Sequence, residues 1–521
     1  MSCALFTALG FLVTFTAATQ HTSLRFEAPL KVPKAASNGI PHDFSSFSFP
    51  AHWFADFTGN HSHPNLFSKD ILDLLAKKTG AQPFIRVGGT STDRVWYNAS
   101  QKLSLVNEFA AGTVTGNIGI PERVNIGPVF FEGFDTFPNT HWSWQVNMGQ
   151  TYGVEGGKEN AIEVAKLVMN RVRNRLESFE IGNEPDIFSL VGHRPKNYSM
   201  GEYVSQWNEY ADAVSEEVLN ENRYGLEERR FFQPGTFAGG RGWTVKNLLE
   251  AGIDQHKHTK SVSVHHYDGV GEPWIRLGSS LMNHTNIASN VSSLVPNIEA
   301  SHNWTPSLPF VLGETNSDAS NLNFTQVIGV FGSALWLIDR TFLSMAANMR
   351  RQNLIQGTTF GYTAWVPVPR DGREPYVRPP LYGQIFTADA IGTHPGVQVY
   401  PVPASEPKFV SHAIYEAGKL AKYALINFDE WNSTTPYERP SQRVELGVPM
   451  QVYAVQVQRL TASGASADEG IEWAGQSWNY TDGRLAQHGQ HTVEHVKARK
   501  GIVVLSVSST EAVLVTLKYR A

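Results

Sequence analysis

Eight short runs of strand character punctuate residues 45–366, at 46–49, 83–87, 141–147, 178–182, 230–233, 261–265, 309–313 and 358–365. Helical spacing fills most of the gaps between them. Residues 68–78 carry apolar side chains at 71, 72, 74 and 75, and 158–174 at 161, 162, 164, 165, 168 and 172. Residues 203–220 and 334–348 read the same way. Apolar recurrence every three to four residues buries one face of a helix. Strands alternating with helices force parallel pairing, and eight such units close into a (β/α)8 barrel. The expected barrel spans 45–396.

The texture changes near residue 397. Strand runs at 397–402, 422–427, 450–460, 491–496, 501–507 and 512–519 follow with turns between them and little helical spacing. This predicts a C-terminal all-β sandwich over 397–521. Residues 22–29 also alternate, and Pro29, Pro33 and Pro41 make the next stretch extended. Segment 21–44 is therefore expected to cross over and join the β domain.

Residues 1–20 read as a secretory signal peptide, apolar or small from Leu5 to Ala18, with cleavage near Ala18. The single cysteine, Cys3, lies inside that segment. The mature chain would then contain no thiol, which excludes cysteine catalysis, disulfides and cysteine metal sites. Nine Asn-x-Ser/Thr sites, at Asn60, Asn98, Asn197, Asn283, Asn290, Asn303, Asn323, Asn432 and Asn479, fit an extracellular, N-glycosylated protein. A net charge of −5, with 17% charged residues, gives no field that would recruit nucleic acid. No membrane is expected for the mature form.

Two glutamates stand at ends of barrel strands. Glu184 follows Ser178-Phe179-Glu180-Ile181-Gly182-Asn183, and Glu314 follows Pro309-Phe310-Val311-Leu312-Gly313. Strand C-terminal ends are where a barrel does its chemistry. A pair of carboxyl groups there suits glycoside hydrolysis: one protonates the leaving oxygen, the other attacks or activates water. Asn183 is placed to hold a sugar 2-hydroxyl. His265 and His266, with Asp268 beside them, do not read as a metal site, because neighbours on a strand point to opposite faces. Asp186 is expected to cap the following helix.

The segments Ile85-Arg86-Val87-Gly88-Gly89-Thr90, Ile181-Gly182-Asn183-Glu184-Pro185, His265-His266-Tyr267 and Leu312-Gly313-Glu314-Thr315 together resemble glycoside hydrolase family 79, the family of β-glucuronidases and heparanases. The resemblance implies a retaining mechanism with Glu184 as acid/base and Glu314 as nucleophile. It implies sugar contacts from Asn183, from Asp56 after the first strand, and from Thr90, Tyr267 and Tyr362. It implies no cofactor and no metal, and a glucuronic-acid-containing carbohydrate as substrate. The expected activity is that of a secreted exo-β-glucuronidase, with 4-O-methylated uronate as a variant substrate. The rival readings are an endo-acting heparanase-like enzyme and a non-catalytic carbohydrate-binding homologue. The loop after Glu314 departs from the family pattern: it reads Ser317-Asp318-Ala319-Ser320-Asn321 instead of small glycines. Arg370, Arg373 and Arg378 are the candidates to supply positive charge for the uronate.

Overall fold

The computed structural model describes residues 23–111, 119–220, 230–271, 275–319, 325–403 and 406–520. The apolar N-terminal segment, Cys3 and Asn323 lie outside these residues. Eight parallel strands form the barrel: β1 Ser45–Pro50, β2 Ile85–Gly88, β3 Trp142–Val146, β4 Leu176–Ile181, β5 Gly235–Phe237, β6 Val262–Tyr267, β7 Phe310–Asn316 and β8 Arg351–Ile355. Their order in the sheet is β4-β3-β2-β1-β8-β7-β6-β5. Phe232 closes the ring, bridging Phe179 of β4 on one side and Thr259, just before β6, on the other.

Two strands differ from the sequence expectation. The fifth was expected at 230–233. Pro234 has no N–H for the ladder, so pairing there shrinks to bridges at Phe232 and resumes at Gly235. The eighth was expected at 358–365, but β8 lies at Arg351–Ile355. Its sequence, Arg-Gln-Asn-Leu-Ile, is too polar to read as a buried strand. Two of its three polar side chains have partners. Arg351 pairs with Asp43 and Glu177 at the strands' N-terminal end and lies 3.6 Å over the Phe84 ring. Gln352 donates to Thr341. Residues 356–364, including Tyr362, are instead a loop on the catalytic face, leading to the short pairing of Trp365–Val366 with Tyr376–Val377.

The helices follow the apolar periodicity. Leu66–Thr79 starts on an Asn65 cap and stops at left-handed Gly80. Met200–Val214 starts with a capping box between Ser199 and Glu202. Phe331–Ala346 is buried almost all round, because it lies between the barrel and the C-terminal sheet. Among the described residues no helix is long and apolar enough to cross a membrane.

The C-terminal region is a sandwich of a nine-stranded sheet and a three-stranded sheet. The small sheet joins Leu24–Phe26, in parallel register with Val444–Leu446, to Ser441–Gly447 and Ile502–Ser508. Period-two alternation gives the large sheet two apolar faces. Tyr423, Leu425, Val513 and Val515 point into the sandwich, while Ala424, Ile426, Ala512 and Leu514 join the barrel core. His412 on this sheet reaches Asp339 of Phe331–Ala346 at 2.8 Å, fastening the two domains.

Candidate active site

Glu314 is set by a bulge. His265 of β6 pairs with Glu314 directly after Val264 pairs with Leu312, so Gly313 is the extra residue. A side chain at Gly313 would meet Ser263 Oγ, which would have to turn away. Both Glu314 oxygens are taken. Oε2 accepts from Arg86 Nη1 at 2.7 Å, and Oε1 accepts from the Tyr267 hydroxyl at 2.6 Å.

Arg86, fully buried on β2, is the hub beneath the site. Its Nε donates to Glu180 at 2.7 Å, its Nη1 also to Ser48 at 3.1 Å, and its Nη2 to Gln145 at 3.4 Å and Asn183 at 2.9 Å. A guanidinium has five N–H donors, and all five are assigned here. Burial opposes the charge, but Glu180 and Glu314 outweigh that and raise the Arg86 pKa. Gly88 is packed against this group: a Cβ there would sit 2.5 Å from the guanidinium carbon. A buried charge without partners costs several kcal/mol, so an arginine inside an apolar strand run was a signal of this network. Its acceptors Ser48, Gln145 and Glu180 were not singled out from sequence.

Glu184 is held differently. Its backbone is left-handed, at φ 53° and ψ 53°, a strained conformation for a non-glycine residue. Its N–H donates to Thr236 O at 3.0 Å, and its Oε1 meets His265 Nδ1 at 2.9 Å. Burial pushes its carboxyl up to about 7, with the Arg86 charge pulling the other way. Burial also pushes His265 down to about 4. The imidazole is therefore neutral at physiological pH, and its Nδ1 shares a hydrogen bond with Glu184. His266 points outward to Asn290, so the two adjacent histidines face opposite ways.

Two further carboxyl groups fasten the loops around Glu184. Asp93 accepts the N–H groups of Met148, Gly149 and Asn183, joining the loops after β2, β3 and β4. Burial raises it to about 6 against those three donors. Asp186 does not cap a helix as expected. It accepts from Ala238 and Gly240 at 3.0 and 2.7 Å, tying the loop after β4 to the loop after β5, and the following helix is capped by Ser199. Neither aspartate was read this way in the sequence, since their backbone partners lie about 50 or more residues away.

A nitrogen of His265 and one oxygen each of Glu184 and Glu314 all lie within 4.8 Å of one another. Retaining glycosidases hold their carboxyl groups about 5–5.5 Å apart, inverting ones about 6.5–9.5 Å. The nearest oxygens of the two glutamates, within 4.8 Å, are compatible with the shorter spacing.

The other expected residues gather on the same face. Asn183 Nδ2 is 3.5 Å from Thr90 Oγ1. Tyr362 is hydrogen-bonded to Tyr267 and is close enough to feel Glu314 and Asp318. Asp56 accepts from Thr358 at 2.8 Å, and burial raises its pKa against the pull of Thr358 and of Arg370. Of the three arginines, Arg373 stacks on the Tyr376 ring at 4.0 Å and Arg378 donates to the Tyr376 hydroxyl. Only Arg370 acts on a carboxyl of this face. Asp318 accepts the Gly271 N–H at 2.6 Å and is fully buried, so it ties the loop after β7 to the loop after β6.

Residues 411–514 match the model of the glycosyl hydrolase family 79 C-terminal β domain. A β-glucuronidase of Aspergillus niger is 32% identical over 497 residues, covering 91% of this chain and 89% of that protein. A β-glucuronidase of Neurospora crassa is 29% identical over 540 residues, covering 90% and 93%. The fold is shared with a 4-O-α-L-rhamnosyl-β-D-glucuronidase from Fusarium oxysporum 12S, with a TM-score of 0.79 at 22% identity over 95% of this chain and 100% of that one. A GH51 arabinofuranosidase from Xanthomonas axonopodis pv. citri has the same architecture at a TM-score of 0.60 and 14% identity, over 95% and 99% of the two chains. A relative this similar along almost the whole length, together with the matched β domain and a glutamate pair at the ends of β4 and β7, places the chain in glycosyl hydrolase family 79.

Proposed function

We propose that this protein is a secreted, retaining exo-β-glucuronidase. The observation that carries the reading is the contrast between two glutamates within 4.8 Å: Glu314 has both oxygens taken by donors, while Glu184 is held near a pKa of 7. Two family relatives along most of the chain are β-glucuronidases. In the first step Glu314 attacks the anomeric carbon as Glu184 gives its proton to the departing oxygen. A covalent glycosyl-enzyme forms and the aglycone leaves. In the second step Glu184, now a base, takes a proton from water, which displaces Glu314. An acid near 7 stays protonated through the mildly acid range, so turnover falls as pH rises through about 7. Asn183, fixed by Arg86, offers its amide to the 2-hydroxyl.

Arg86 has no N–H left for substrate, so the uronate carboxylate must be read elsewhere. The Tyr267 hydroxyl is already committed to Glu314. Tyr362, hydrogen-bonded to Tyr267 beside the nucleophile, would turn its hydroxyl from that phenol to the carboxylate when substrate binds, and it can donate without placing a permanent charge there. A net charge of −5 with no long Lys/Arg run favours a terminal uronate over a dense polyanion. The experiment is turnover of a panel of aryl glycosides: glucuronide, galacturonide, glucoside and xyloside. Preference for the glucuronide, lost selectively in Tyr362→Phe, supports the reading. A selective loss in Arg370→Ala with Tyr362→Phe unaffected would move the carboxylate contact to Arg370. The secretion reading rests on the apolar N-terminus and the nine glycosylation sites. Intact mass of the native protein, with and without endoglycosidase, should show a start near Thr19 to His21 and removable glycans.

A further inference from the structure

Two imidazoles converge on one carboxylate far from the catalytic face. Asp212 lies near the C-terminal end of helix Met200–Val214, on its outer side. His256 and His258 lie on the segment that leads back into β6. His256 Nδ1 is 2.9 Å from both Asp212 oxygens, and His258 Nε2 is 2.7 Å from Oδ1. One ligand atom from each of the three residues lies within 4.8 Å of the others. Between the histidines, Lys257 adopts a left-handed backbone, φ 62°, at the turn that brings both rings to the same side.

We propose that Asp212, His256 and His258 form a structural site for a zinc-type divalent cation. Two neutral imidazole nitrogens and one carboxylate oxygen are the donor set of such ions, with water completing the tetrahedron. Magnesium and calcium prefer oxygen ligands throughout. His258 is pre-set for the role. Its carbonyl accepts from Phe231 and Phe232, and its ring packs on Phe232 at 5.4 Å. Its other nitrogen, Nδ1, faces Ser215 Oγ at 3.4 Å. The serine oxygen can accept from Nδ1–H, the tautomer that leaves Nε2 free to bind, as outer hydrogen bonds do at metal-bound histidines. The open side faces a groove lined by Ser205, Asn208, Glu209 and Gln255, with room for water ligands.

The location argues for bracing rather than catalysis. A helix that follows a barrel strand runs back toward the N-terminal face, so its end and the start of β6 lie opposite the active site. The same region holds the seam of the barrel, where Phe232 bridges β4 to Thr259. A cation there would clamp helix Met200–Val214 to the strand-entry segment across that seam.

The test uses untagged full-length protein, stripped with chelator and dialysed against zinc chloride. The proposal expects one retained equivalent of zinc lost in both His256→Ala and Asp212→Asn. At a zinc concentration about a hundred times Kd the Tm should rise by about 2–5 °C. Magnesium chloride should give no rise, and glucuronide turnover of the stripped protein should match the variants. Absence of retained zinc in the native chain would overturn the proposal. So would equal zinc retention and an equal Tm rise in both variants, which would locate the ion elsewhere, such as at the Glu184–His265–Glu314 cluster.

Discussion

The two sides of the catalytic cleft are built on opposite principles. On the Glu314 side both carboxylate oxygens are paired: the buried Arg86 guanidinium bonds Glu180, Ser48, Asn183 and one Glu314 oxygen, and the Tyr267 phenol donates to the other. On the Glu184 side the backbone is strained, the partner is a neutral imidazole, and burial is the main influence on the carboxyl. One residue type is thereby given two jobs. Charge pairing keeps one carboxylate an acceptor, ready to attack. Desolvation keeps the other a proton donor. The comparison also separates where stability is gained from where it is given up for function.

The comparison can be broken at four points. Glu314→Gly removes the nucleophile, and kcat on every glycoside should fall by about 10⁴-fold or more. A loss below about 100-fold, by stopped-flow on an activated aryl glucuronide, would mean that Glu314 is not the attacking group. Arg86→Met strands Glu180 and Glu314 without a counter-charge. Unfolding in urea should show a loss of about 3–5 kcal/mol, together with loss of activity. Little change in stability would mean that the hub is not what holds the Glu314 side. Glu184→Gln should act in the other direction. The folded pKa of about 7 exceeds the ordinary 4.5, so the folded state binds more protons between those values and stability falls as pH rises across that window. Removing the charge should therefore stabilise the fold above pH 7 by up to about 3 kcal/mol, with little gain at pH 4.5. A gain that does not change with pH would mean that the Glu184 charge is not its source. Tyr267→Phe removes one hydrogen bond to a charged group, about 1.5–3 kcal/mol. It should cost about 10- to 100-fold in kcat/KM, equally on glucuronide and glucoside. A loss confined to the glucuronide would show that Tyr267 reads the carboxylate.

The difference between the two sides also explains what could be read from residues alone. Glu184 and Glu314 stood out because each ends an apolar run, a local pattern. The barrel was visible for the same reason, strand by strand, where side chains facing both layers are apolar. It failed at β8, whose Arg351, Gln352 and Asn353 are all buried, Arg351 against Asp43 and Glu177, far away in sequence. A C-terminal strand, Phe409–Glu416, was missed likewise: its Ser411 and His412 are buried, the latter against Asp339 on the barrel. The Arg86 network has acceptors at residues 48, 145, 180, 183 and 314. No spacing rule connects them, because closure of the barrel is what brings them together. Asp93 and Asp186 bind backbone N–H groups, which carry no sequence signature at all.

The most direct test of the division of labour is the stereochemistry of azide rescue. Glu184→Ala lacks the acid/base but keeps Glu314. With an activated aryl β-glucuronide it should still form the glycosyl-enzyme, and azide should then release the β-glucuronyl azide, with net retention. Glu314→Gly lacks the nucleophile, so azide entering directly should give the α-azide. NMR of the two products decides the matter. An α-azide from the Glu184 variant, with a β-azide from the Glu314 variant, would exchange the roles and contradict the account.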